Sequence, residues 1–111
     1  MAPHPPFDSA QAIGYRLFLI RTGWSKAQGH ERPLGQKEFA ELAGIPTRQA
    51  WNNAETGDNR IGIDNAIRVC QLTGASLDYI FFGLKDGLPH RLVKAIEDIE
   101  KQESRSRSKR A

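Results

Sequence analysis

Arg48, Gln49, Asn52 and Asn53 are the side chains of this chain best suited to act on another molecule. They are three amides, which donate and accept hydrogen bonds without burying charge, and a guanidinium, which only donates. Gln49 and Asn53 lie four residues apart, so on a helix they share one face, one turn apart. An amide in such a place can pair bidentately with adenine N6 and N7, and a guanidinium can meet a phosphate. Gln36, Lys37, Thr47, Asn59 and Arg60 flank this group as further candidates for nucleic-acid contact. Covalent chemistry has no comparable set. No Gly-rich phosphate loop, nucleophile elbow or paired-carboxylate constellation is present, so no enzyme is expected. His4, His30 and His90 are scattered, with no second ligand at helical or loop spacing, so neither a metal site nor a cofactor is expected.

Such residues act together only if a rigid frame holds them. The stretch from Gly35 to Gly57, GQKEFAELAGIPTRQAWNNAETG, supplies one. Phe39, Ala40 and Ala43 share one face of a short helix, and the small Ala40 lets a second helix cross closely. Gly44 can take positive φ and end that helix in a sharp turn. Ile45 can close the apolar seam. Pro46 keeps the residue before it out of helical geometry, and Thr47 can cap the next helix. Trp51 and Ala54 turn one face of that helix inward, leaving Arg48, Gln49, Asn52 and Asn53 outward. The stretch therefore reads as a helix-turn-helix, which presents a reading edge to a major groove.

At this point the chain resembles the phage-repressor (Cro/C1-type, XRE-like) family of helix-turn-helix regulators. The likeness rests on Leu34 to Ala40, Gly44, Trp51 to Gly57 and Ser76 to Gly83, and spans about Ile13 to Gly83. It implies an all-α, five-helix, lambda-repressor-like DNA-binding domain. It also implies that the Gln36 amide bonds a phosphate while bracing the recognition helix, and that the Glu55 carboxylate is mostly structural. Two departures stand out. The segment between Gly44 and Glu55-Thr56-Gly57 is one residue longer than usual, placed here in the turn around Ile45 to Thr47. Gly35 replaces the usual serine or threonine cap.

Composition narrows the class. The chain has 111 residues, 39% hydrophobic and 26% charged, which suits one small soluble domain with flexible ends. No apolar run approaches the ~18 residues that a membrane span needs. No signal pattern opens the chain, and Cys70 stands alone, so a reducing cytoplasm is expected. Net charge is unevenly placed. Residues 1–103 hold 12 Lys/Arg against 13 Asp/Glu, whereas Arg105, Arg107, Lys109 and Arg110 add +4 at the end. Any contact with nucleic acid must therefore use local charge.

The rest of the chain divides readily. Residues 1–7 are expected to be disordered, because prolines cannot propagate a helix. A first helix should start with Asp8 as cap and Gln11 reaching back, bury Ile13, Leu17 and Ile20, and stop at Gly23. Gly14 should weaken it by roughly 1 kcal/mol relative to alanine. Residues 23–33 read as a long loop in which Trp24 is either a lid or an exposed contact. A fourth helix should bury Ile63, Ala66, Ile67 and Cys70, and a fifth Leu77, Ile80 and Phe81. Residues 84–103 read as a linker and a sixth helix from Leu88 to Glu103. Its Leu92, Ile96 and Ile99 form a stripe that a five-helix core does not need, so a homodimer through them is expected, the alternative being that this helix folds back onto its own domain. Residues 104–111 read as a disordered basic tail that adds phosphate contacts.

The residues thus point to a domain of 8–83 that binds double-stranded DNA in a sequence-specific way and regulates transcription as a repressor. The alternative is a protein-interaction module on the same helical fold, such as an antitoxin-like or assembly component. The near-zero charge of residues 1–103 favours that alternative.

Overall fold

The computed structural model of the protein describes residues 6–110 and contains six helices and no strand among them. They are α1 (Ala10–Ala27), α2 (Gln36–Ala43), α3 (Arg48–Thr56), α4 (Ile63–Thr73), α5 (Leu77–Phe82) and α6 (His90–Arg110). The expected all-α class is what forms. Of the stretch 1–7 expected to be disordered, residues 1–5 lie outside the described ones.

Helix α1 is longer than its sequence suggested. Ser9, not Asp8, is its cap, accepting from the Ala12 amide at 3.0 Å. Its end is at Ala27 rather than Gly23, so the loop before α2 shrinks to residues 28–35. Gly23 is a packing residue: a Cβ there would lie 2.9 Å from Ile96 Cγ1, so its bareness lets α6 press on α1. Gly14 does the same on the other side, where a Cβ would come within 2.4 Å of the Glu55 carbonyl oxygen of α3. Nine residues separate the two glycines, about 180° of helical rotation. Helices α3 and α6 therefore grip opposite sides of α1.

Gly14 is thus no weak spot. Gly14→Ala should cost about 1–3 kcal/mol through overpacking, rather than gain the usual helix propensity. Urea unfolding of both proteins measures it, and a more stable alanine variant would show that α3 can retreat freely.

The core gathers Ile13, Leu17 and Ile20 of α1, Phe39 and Ala40 of α2, and Trp51 of α3. Trp24 is neither lid nor exposed contact. It sits on α1, half-buried, with its ring edge-on to Phe39 at 6.0 Å. On α4 the inner face is Ala66, Val69 and Thr73. Ile63 and Ile67, expected inside, are 54% and 40% exposed, and Cys70 is half-buried. Ala66 is buried as expected, and Val69 and Thr73 share its face in place of Ile63 and Ile67. On α5, Ile80 is buried as expected, but Tyr79 joins it while Leu77 and Phe81 stay half-buried.

The stripe on α6 is covered by its own chain. Leu92, Ile96 and Ile99 are 2%, 0% and 8% exposed, packed in the same core as α1. They are not available as a homodimer contact. The surface they need is the extra turn of α1 beyond Gly23, which the sequence had assigned to a loop. The backbone of α6 also continues helical through Arg110, where a disordered tail was expected. Propagating an existing helix adds one hydrogen bond per residue, and Arg and Lys are good helix formers.

Candidate nucleic-acid interface

Helices α2 and α3 meet across a tight turn, and each boundary has a visible cause. Gly44 adopts φ 81°, the left-handed region that glycine reaches without strain, and closes α2. Ile45 is buried and bonds its amide to the Ala40 carbonyl at 2.9 Å, which folds the turn back on α2. Thr47 then caps α3, its hydroxyl accepting from the Ala50 amide at 3.0 Å. Trp51 and Ala54 remain in the core.

That phase decides which side chains look outward. Thr47, Arg48 and Gln49 are exposed, while Asn52 and Asn53 are half-buried. Gln49 Nε2 donates to Asn53 Oδ1 at 2.9 Å, so these two amides form one unit on the outer face. The bond uses one hydrogen of Gln49 and one lone pair of Asn53. Each amide keeps a further donor hydrogen and acceptor lone pair for an outside partner. Lys37 is exposed at the start of α2 and Gln36, beside it, half-buried. Neither Lys37 nor Arg48 makes an ion pair among the described residues.

Asn59 and Arg60 leave α3 on the other side. The Asn59 amide donates to the Asn53 carbonyl at 3.2 Å, and Arg60 Nη1 donates to the Asp8 carbonyl. Arg60 is thus tethered to the segment before α1, though exposed. With Ile45, Trp51 and Asn65 the pair lines a shallow concavity of about 200 Å³ beside α3. The electrostatic setting is not basic. From residue 35 to 64 the chain has three cations, Lys37, Arg48 and Arg60, against five acidic residues. Neutral amides, not charge, dominate the outward face.

Of the pair that holds α3 in place, Glu55 is a residue the resemblance implies is structural, but its partner Arg21 has no signal in the sequence. Arg21 of α1 forms a bidentate pair with Glu55, Nε to Oε2 at 2.6 Å and Nη2 to Oε1 at 3.0 Å. Its remaining nitrogen, Nη1, donates to the Leu34 carbonyl at 2.7 Å. Trp51 Nε1 donates to the same Glu55 carboxylate. The two charged side chains are only 12% and 7% exposed. One guanidinium therefore ties α1, the approach to α2 and the end of α3 together. Ser25, fully buried, secures the same approach by accepting from the Leu34 amide at 3.0 Å. No family model, curated protein or solved structure matches this chain. Its likeness to phage repressors thus rests on its own residues.

Among the described residues no three His, Cys, Asp or Glu side chains gather where a metal could sit. Burial pushes the Cys70 thiol up, which lowers its thiolate fraction. No helix among those described is long and apolar enough to cross a membrane.

Proposed function

We propose that the protein is a cytoplasmic transcriptional regulator that binds double-stranded DNA in a sequence-specific way, with α3 as its reading helix. One observation carries this. Gln49 and Asn53 are joined on the outward face of a helix that is capped, turned and braced at both ends. The reading requires no chemistry on the substrate: occupancy of an operator blocks polymerase. It also requires no second copy, since the stripe that argued for one is buried against α1. Gln36 and Lys37 at the start of α2, and Asn59 and Arg60 after α3, would flank the groove as backbone contacts.

The test is to select bound sequences from a random duplex pool and compare Gln49→Ala and Asn53→Ala with the parent chain. Each change should weaken the selected site by about 1–3 kcal/mol and relax one base position. Equal losses on selected and random duplex would assign both amides to phosphates instead.

A second reading, a protein-interaction module, has its own observation. Leu42 of α2 and Ile63 and Ile67 of α4 are exposed, on two helices that pack together. Failure to enrich any duplex from the pool would favour that reading.

A further inference from the structure

The charge of the protein is not where α3 is. Residues 90–110, the span of α6, hold seven Lys/Arg against four Asp/Glu, while residues 1–89 balance at nine against nine. The whole excess of +3 is therefore carried by one helix. Within it the charges sort by face. Arg91, Lys94, Lys101 and Arg105 are all exposed and recur within a sector of about 80° on a 100°-per-residue wheel. Asp98 is the one acid in that sector, and it is paired with Lys26 of α1 at 3.6 Å. Glu97 and Glu100 lie to one side and are engaged by Lys85, at 3.7 and 2.9 Å. None of the four cations has an ion-pair partner among the described residues.

The position of this strip follows from the two glycines of α1. Gly14 meets α3 and Gly23 meets α6, on opposite sides of the helix. The buried stripe of α6 faces α1, so its cationic strip faces away from α3 altogether. One duplex lying in contact with α3 would not cover it. We propose that the outward face of α6 is a second binding surface, indifferent to sequence, for the phosphate backbone of duplex DNA. From Arg91 to Arg105 the strip runs about 21 Å at 1.5 Å per residue. Duplex DNA presents one charge per ~1.7 Å of axis, so the strip always lies against several phosphates. Flexible exposed cations without fixed partners suit such a contact, because no base edge has to be matched. A protein with two such faces can hold two duplex segments at once.

The experiment uses the full chain and a variant carrying Arg91→Gln, Lys94→Gln and Lys101→Gln. A second variant, Arg91→Lys with Lys101→Arg, keeps the charge. All substituted side chains are exposed, and a thermal melt checks that each protein folds. On random duplex, the neutralised variant should lose up to about 2.7 from the log–log salt slope, at 0.9 per phosphate released. The charge-keeping variant should match the parent. Two separately labelled duplexes should co-localise with the parent and not with the neutralised protein. Superimposable slopes with unchanged co-localisation overturn the proposal. So does a neutralised variant that loses only its binding to vesicles of anionic lipid. The inference does not rest on base reading by α3. Equal losses on selected and random duplex in Gln49→Ala, with the α6 slope difference intact, would sink the one reading and leave the other.

Discussion

Replacing Glu55 with alanine is expected to destabilise the fold by about 3–5 kcal/mol, a large part of what a domain this size has. The cost is not mainly the lost attraction. Arg21 is 12% exposed and would keep its charge inside the protein without a partner. The Trp51 indole N–H would lose its acceptor in the same step. Removing both ions together should be milder, so Arg21→Met with Glu55→Met should recover much of the loss. Urea unfolding of the parent, the single variant and the pair decides it. A single-variant cost under about 1 kcal/mol would show that the pair behaves as a surface salt bridge. The carboxylate lies one turn from Trp51 and fixes how α3 sits, so under the DNA-binding function proposed above affinity for a selected duplex should fall without any contact being removed.

The second large effect concerns α6. Ile96 is fully buried opposite Gly23, and Ile96→Ala should cost about 2–5 kcal/mol through lost burial and the cavity left behind. Because the contact is within one chain, the unfolding midpoint should not depend on protein concentration. A midpoint that rises with concentration in the parent and not in the variant would restore a dimer through this stripe.

Much of the frame was legible. Phe39, Ala40, Ala43, Trp51 and Ala54 were placed inside because each is apolar or small at helical spacing, within a short stretch bounded by glycines. The caps at Gly44 and Thr47 were legible for the same local reason. The misreadings share a different cause. Gly23 reads as a stop because glycine disfavours helix, but its partner, Ile96, is far along the chain and overrides that preference. Once Gly23 was a stop, α1 was too short to cover α6, and Leu92, Ile96 and Ile99 were left looking for a second copy. Ile63 and Ile67 satisfy helical spacing with Ala66, but α4 is rotated so that Val69 and Thr73 join Ala66 inside. Arg21 gave no signal at all, since its acceptor is on another helix and no spacing in the sequence joins them.

The placement of α1 between α3 and α6 also bears on how the protein is made. Chains leave the ribosome from the N-terminus, so α1 emerges before α3 and α6. One of its sides can be covered once α3 is out. The other waits for Leu92 to Ile99 of α6, which are made after both α1 and α3. Until then Gly23 and its neighbours form a bare seam on an otherwise assembled body. A stalled or clipped product lacking α6 would carry that seam into the cell as an adhesive patch, so quality control should act most sharply on chains cut between Gly83 and Pro89.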